Sequence, residues 1–128
     1  MSTLLFDHAT QKLTVTWASG EEESWDAANN VDSHSEGPWP DGTYQFVAHM
    51  THPDDAPESE YGSYGGLLFN VPGRSGMEIH SGREETPDGC NRYGFEHCTM
   101  GCIRTVDSAM ETLVQLLQSD PPTTLTVQ

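Results

Sequence analysis

Apolar side chains alternate with polar ones in several short stretches of this chain, a spacing typical of half-buried β-strands. Leu13, Val15 and Trp17 alternate with two threonines, and a polar turn over 7–12 joins them to the apolar segment 4–6. This pattern predicts that the chain opens with a β-hairpin. Further strands are predicted at 24–31, 43–49, 67–71, 77–80, 103–106 and 123–127.

One helix is predicted near the carboxyl terminus, over 108–118, and the Asp-Pro-Pro sequence at 120–122 would end it. Ser108 and Glu111 have the spacing of a capping box. Four apolar residues of this segment fall on one helical face: Met110, Leu113, Val114 and Leu117. The predicted fold class is therefore mostly β with one main C-terminal helix.

Three polar, proline- and glycine-containing segments are predicted to be irregular, at 34–42, 51–66 and 81–100. Pro53 and Pro57 oppose regular structure in the second of them. The third is the longest, and irregular segments of this length are usually binding or lid elements.

The charge of the chain restricts its partners. Five Lys and Arg residues stand against twenty Asp and Glu residues, which gives a formal net charge of −15. Such a surface repels nucleic acid and anionic lipid, so we expect neither as a partner. No segment has the length and hydrophobicity of a membrane span, so no membrane insertion is expected. At 128 residues, the chain is expected to form one domain over 1–128.

His80 and Cys102 are the candidate chemical groups. A thiol with an ordinary pKa of about 8.5 is mostly protonated at neutral pH. A neighbouring imidazole can take that proton, and the thiolate–imidazolium pair that results attacks carbonyl carbon. Backbone N–H groups around a Gly-Cys turn would stabilise the oxyanion. Each residue alone also has a structural explanation, as a buried thiol or as a hydrogen-bonded histidine at a strand end.

Two motifs together resemble a known family. Residues 79–82 read Ile-His-Ser-Gly, and residues 99–104 read Thr-Met-Gly-Cys-Ile-Arg. This pair resembles the L,D-transpeptidase (YkuD-type) catalytic domain, which carries Ile-His-Gly and then Ser/Thr-His-Gly-Cys-Ile-Arg/Asn. The Gly-Pro-Trp-Pro-Asp-Gly-Thr-Tyr sequence at 37–44 is similar to an element of a compact branch that includes interbacterial toxins.

The resemblance implies a β-sandwich-like catalytic fold and a set of roles. Cys102 would be the nucleophile and His80 its base, with the Ser81 carbonyl orienting the imidazole. The N–H groups of Gly101 and Cys102 would form the oxyanion hole. Arg104 would lie by the thiolate or hold a substrate carboxylate. Substrate contacts are expected at Arg104, Gly82, Thr99 and Tyr61. For Tyr61 the expectation comes from its position in a glycine-rich loop, and ordinary packing against the sheet is the alternative.

The implied function is that of a cysteine peptidyltransferase on peptidoglycan stem peptides, without a cofactor or metal. An acceptor amine would give transpeptidation or exchange of a D-amino acid, and water would give L,D-carboxypeptidase activity. The amino terminus lacks the features of a secretory signal. We therefore expect action in the periplasm or cell wall after non-standard export or delivery as an effector, with secretion machinery or an immunity protein as possible partners.

The sequence departs from the family at Met100, where the family usually has histidine, and in the segment before it. That segment carries Cys90, His97 and Cys98, which the family does not require. A Cys90–Cys98 disulfide would leave Cys102 free, whereas a structural zinc site would use these thiols as ligands. The alternatives to the enzyme are a binding module with a zinc- or disulfide-clipped loop and a sortase-like transpeptidase, although a sortase arginine typically lies farther beyond the cysteine.

Overall fold

A computed structural model describes residues 1–31, 36–51, 58–84 and 90–128, and these contain eight strands and two α-helices. A single 3₁₀ turn, Gly94–Glu96, is also present. In chain order the elements are β1 (Ser2–Asp7), β2 (Lys12–Thr16), β3 (Glu22–Ala28), β4 (Gly42–Met50), α1 (Glu58–Tyr61), β5 (Gly66–Asn70), β6 (Glu78–His80), β7 (Ile103–Thr105), α2 (Asp107–Ser119) and β8 (Pro122–Val127).

The strands form one closed sheet in the order β1-β2-β3-β7-β6-β5-β4-β8, with β8 pairing back onto β1. Closure leaves no free sheet edge along these strands. The β1–β8 and β6–β7 pairs are parallel, and the other pairs are antiparallel. The parallel β6–β7 pair joins two segments that are distant in sequence.

The core follows from the alternation along the strands. Leu13 and Val15 of β2 are fully buried, while the threonines between and after them are only partly buried. Leu125 and Val127 of β8 are buried in the same way. The apolar face of α2 joins this core cluster through Met110, Leu113 and Leu116.

The predicted fold class is confirmed: the chain is mostly β with one main C-terminal helix. The opening hairpin is present, with Leu4 opposite Val15 and Phe6 opposite Leu13. Neither α-helix in the described part of the chain combines the length and hydrophobicity required to cross a membrane.

Two local predictions were wrong. The segment 51–66 was predicted to be irregular, but α1 and the start of β5 lie within it; residues 52–57, which include both prolines, are outside the described residues. The capping box is also absent. Val106 precedes α2 without a side-chain cap, and Ser108 is already the second residue of the helix.

Replacement of Leu113 by alanine tests the packing of α2 on the sheet. Leu113 is fully buried, so Leu113→Ala should lower the free energy of unfolding by about 2–5 kcal/mol because it leaves a cavity. Gln115→Ala, at an exposed position of the same helix, should change it by less than about 0.5 kcal/mol. Denaturant unfolding measures both, and equal effects would contradict the packing described.

Candidate active site

The register of β6 and β7 brings the two predicted catalytic residues to one face of the sheet. Ile79 pairs with Ile103, and both side chains are fully buried in the core. Because side chains alternate along a strand, His80 and the residues flanking Ile103 point to the opposite face. Cys102 directly precedes β7 and is a diagonal neighbour of His80. With strands about 4.8 Å apart and a rise of about 3.3 Å per residue, the Cα atoms of such diagonal neighbours are roughly 8 Å apart.

The His80 ring is held in one orientation. It is 2% exposed, and its Nδ1 lies 2.8 Å from the carbonyl oxygen of Ser81. Since a carbonyl only accepts, Nδ1 carries the proton and Nε2 is the proton-free nitrogen of the neutral ring. The Ser81 hydroxyl donates to Asp107 Oδ1 at 2.5 Å, which ties this segment to the start of α2. The contact implied for the Ser81 carbonyl is therefore present.

The turn that carries Cys102 is fixed by hydrogen bonds to its backbone. The Gly101 carbonyl accepts from Trp39 Nε1 at 2.7 Å and from Asn29 Nδ2 at 2.9 Å. Asn29 Nδ2 also donates to the Cys102 carbonyl at 3.1 Å. The Trp39 amide in turn donates to Asn29 Oδ1 at 2.7 Å. Neither side chain is among the site residues predicted from the sequence, although Trp39 lies in the glycine- and proline-rich element that resembles a family motif.

The roles predicted for Thr99 and Gly101 need correction. The Thr99 hydroxyl donates to the Cys102 carbonyl at 2.6 Å and accepts from the Gly101 amide at 3.1 Å. Thr99 is 5% exposed, so it braces the turn and has no free face for substrate. The Gly101 amide is occupied and does not serve as an oxyanion donor in this geometry. What Gly101 provides is conformation: its φ is +140°, and a Cβ there would lie 3.1 Å from Met77.

The Cys102 thiol is half-buried and rests protonated. Its sulfur lies 3.5 Å from the Gly76 carbonyl, to which it donates. Burial raises the pKa of the Cys102 thiol to about 11, and the carboxylates of Glu78 and Glu60 add to the rise. A backbone hydrogen bond from Glu78 and the charge of Arg104 oppose it. The preformed thiolate–imidazolium pair is therefore disfavoured in the free protein.

Arg104 is a buried anchor. It is 0% exposed, and its guanidinium donates to the carbonyls of His97, Cys98 and Glu60 and to the Glu60 carboxylate, at 2.9–3.1 Å. These contacts hold α1 and the 97–98 segment over the face that carries Cys102. A fully buried guanidinium cannot hold a substrate carboxylate, so that expectation for Arg104 is wrong. Its charge does lie near enough to lower the pKa of Cys102.

Gly82 and Tyr61 have different positions. Gly82 is buried at φ +110°, and a Cβ there would lie 2.4 Å from the Glu60 carbonyl oxygen. It allows α1 to approach closely and has no surface for substrate, contrary to the prediction. The half-buried Tyr61 ring packs edge-to-face on His80, with ring centroids 5.1 Å apart. Burial, with the Glu60 carboxylate adding to it, raises the pKa of Tyr61, so its hydroxyl keeps its proton.

The extra cysteines are joined. Cys90 and Cys98 form a disulfide, and Cys102 is the free thiol. The bond uses two of the thiols that the zinc alternative requires. Among the described residues, no group of three or more His, Cys, Asp or Glu side chains is arranged to hold a metal ion.

A cleft of about 220 Å³ opens beside the Cys102 turn. Its walls are formed by the 73–77 segment, by Glu36 and by the two residues before Cys102. Met100, which replaces the family's usual histidine, is 74% exposed at its rim. A second cleft, of about 420 Å³, lies between 40–45 and 70–72, and none of the predicted catalytic or substrate-binding residues lines it.

Comparison with solved structures identifies the fold. A Mycobacterium smegmatis L,D-transpeptidase matches with a TM-score of 0.63 and 17% identity, over 99% of this chain and 58% of that chain. A Stackebrandtia nassauensis L,D-transpeptidase gives 0.62 and 18%, over 99% and 55%. Bdellovibrio bacteriovorus Bd1075 gives 0.69 and 17%, over 99% and 47%. The chain thus spans about half the length of these proteins.

No protein-family model and no curated protein matches the sequence. The likeness to the solved structures covers nearly the whole chain at low identity, and it establishes the fold. The fold is that of the L,D-transpeptidase (YkuD-type) catalytic domain, and the resemblance drawn from the two motifs is confirmed at this level.

Replacement of Glu78 by glutamine tests the electrostatics of the thiol. The Glu78 carboxylate raises the pKa of Cys102, so Glu78→Gln should lower it. Iodoacetamide alkylation of Cys102 near pH 9 should then be several-fold faster, because the thiolate fraction rises as the pKa falls. Glu111→Gln, on the exposed side of α2, is the control. An unchanged pH profile in Glu78→Gln would contradict the assignment.

Proposed function

We propose that this chain is a cysteine peptidyltransferase that acts on peptidoglycan stem peptides. The observation that carries the proposal is the β6–β7 register, which puts a free thiol and an oriented imidazole on one face of an L,D-transpeptidase fold. Cys102 is the proposed nucleophile and His80 the proposed base. The named M. smegmatis and S. nassauensis neighbours support the substrate class.

The first half-reaction forms a thioester. The Cys102 sulfur attacks the carbonyl that joins an L-centre to a terminal D-residue, while its proton passes to Nε2 of His80. Proton transfer during attack suits a thiol whose pKa is raised to about 11, because no thiolate need accumulate beforehand. The carbon–nitrogen bond then breaks, and His80 returns the proton to the departing amine.

The second half-reaction releases the acyl group. An acceptor amine attacks the thioester, His80 takes its proton, and the sulfur leaves and regains a proton. The product is a cross-link or an exchanged D-residue, and water in place of the amine gives L,D-carboxypeptidase activity. Tyr61, which retains its hydroxyl proton beside His80, is suited to donate to the substrate. The oxyanion donor assigned to the Cys102 amide stays a prediction.

The site of action follows from the substrate. Peptidoglycan lies in the cell wall, so we infer that the chain acts there. Delivery as an effector, the toxin role and an immunity partner rest on the sequence of the 37–44 element and stay predictions. A non-enzymatic binding module with the loop closed by the Cys90–Cys98 disulfide would need no reactive thiol. The reactivity of Cys102 therefore distinguishes the enzyme from the binding module.

Removal of either catalytic side chain tests the proposal. With tetrapeptide muropeptides as donors, Cys102→Ala should abolish release of the terminal D-amino acid, because no thioester can form. His80→Ala should slow release by about 10²–10⁴-fold, the usual contribution of a general base. Mass spectrometry of the products and of the intact protein measures both release and the thioester.

His49→Ala is the matched control, because His49 contacts the Tyr64 carbonyl on another part of the sheet. It should retain activity close to that of the unmodified protein. Full activity in Cys102→Ala would end the proposed mechanism.

A further inference from the structure

The charge of the donor peptide poses a problem for so acidic a protein. In the proposed reaction, which this inference presupposes, the terminal D-residue carries a free carboxylate close to the bond that breaks. With five cationic side chains against twenty acidic ones, most of the surface repels that group. A cation near Cys102 would bind that carboxylate through charge-assisted hydrogen bonds and offset the repulsion.

The structure describes all five cationic side chains, and four of them are unsuited to the task. Lys12 forms an ion pair on the β2–β3 ladder, and Arg83 is paired with a glutamate of α1. Arg104 is fully buried. Arg92 is not among the residues that line the cleft beside the Cys102 turn, whereas Arg74 is.

Arg74 is held by backbone groups, so its orientation does not depend on an acidic partner. Its Nη1 donates to the Gly37 carbonyl at 2.8 Å, and its Nη2 donates to the Glu36 carbonyl at 3.1 Å. The Arg74 side chain is 13% exposed. Within the described ranges, the carboxylate paired with it is that of Glu36, 3.4 Å from Nε and 68% exposed. Because the Glu36 carboxylate is exposed, water and salt compete for it, and another carboxylate can take its place.

The residues that line the cleft include immediate neighbours of Cys102 and of its hydrogen-bond partner. Cys102 donates to the carbonyl of Gly76, which lies between two residues that line the cleft, Ser75 and Met77. Gly101, the residue before the nucleophile, also lines it. A donor whose scissile carbonyl meets the sulfur can therefore extend its terminal residue along this wall toward the guanidinium.

We propose that Arg74 binds the terminal carboxylate of the donor peptide and is a specificity-determining residue of the transpeptidase reaction. The Glu36 carboxylate occupies this position in the free protein, and the donor displaces it. The cation that the sequence assigned to Arg104 is thus supplied from the 73–77 segment.

The test compares two donors that differ only in this group: a tetrapeptide ending in D-alanine and the same peptide ending in D-alaninamide. We expect kcat/KM to favour the free carboxylate by about 10- to 100-fold, the usual value of a charge-assisted hydrogen bond. Arg74→Gln should remove most of that preference and leave kcat/KM for the amide donor within about threefold. Arg74→Lys should restore part of the preference.

Glu36→Gln should act in the opposite direction, because it removes the competing carboxylate while keeping the backbone contacts. Its preference for the free carboxylate should exceed that of the unmodified protein. Arg92→Gln, a change of charge on another segment, should leave the ratio unchanged.

Three other results would overturn the inference. Equal losses on both donors in Arg74→Gln would mean that Arg74 only holds the 36–38 segment, and would overturn the inference. A parent protein that releases D-alanine and D-alaninamide equally well would also overturn it, while leaving the proposed function intact. Failure of the parent protein to form a thioester with either donor would refute both.

Discussion

The carbonyl of Gly101 accepts hydrogen bonds from the Trp39 indole and the Asn29 amide, and the position of the nucleophile depends on this contact. It joins the end of β3, the segment before β4 and the turn before β7. Both donors are buried, and buried hydrogen bonds are strong because little water competes with them. Leaving such an acceptor unsatisfied costs about 1–3 kcal/mol. The turn is therefore fixed by side chains far from it in sequence.

Burial of the turn that carries Cys102 also determines the electrostatics of the site. A thiol held among buried groups and two carboxylates resists ionisation, which is why the pKa of Cys102 is raised. Arg104 offsets part of this effect while it anchors α1 and the segment clipped by the Cys90–Cys98 disulfide. A buried cation serves this purpose but cannot reach substrate. Arg104 had been expected either to lie by the thiolate or to hold a substrate carboxylate. Arg104 acts within the fold, whereas Arg74 lines the cleft and is proposed to bind the carboxylate.

Local patterns were enough to predict much of this molecule. Alternation at Leu13 and Val15 predicted strands because the side-chain period of a strand is encoded residue by residue. The two motifs around His80 and Cys102 predicted the fold, and the Cys90–Cys98 disulfide was one of the two alternatives that the sequence left open. Local patterns did not predict features that depend on tertiary packing, such as the start of α2. Val106 precedes α2 and provides no side-chain cap. The helix forms without one because tertiary packing of its apolar face contributes most of its stability.

The polar contacts of the site could not be predicted from local sequence patterns, because they join residues that are brought together only by the fold. Whether Arg104 is exposed depends on α1 and the 97–98 segment folding over it, and no spacing within the sequence specifies that. Thr99 was expected to meet substrate, yet its hydroxyl is used within its own turn. Asn29 carried no signal at all, because its partner lies 72 residues away in the chain.

The juxtaposition of the Cys102 sulfur and the His80 ring is tested most directly by NMR of the imidazole nitrogens, before and after carbamidomethylation of Cys102. We predict a protonated Nδ1 and a proton-free Nε2 for His80 at a pH where its ring is neutral, and a shift of both resonances when the sulfur is modified. The resonances of His49, which contacts the Tyr64 carbonyl on another part of the sheet, should not move. Unchanged His80 resonances after the modification, or a proton found on Nε2, would contradict the proposed pairing of His80 with Cys102.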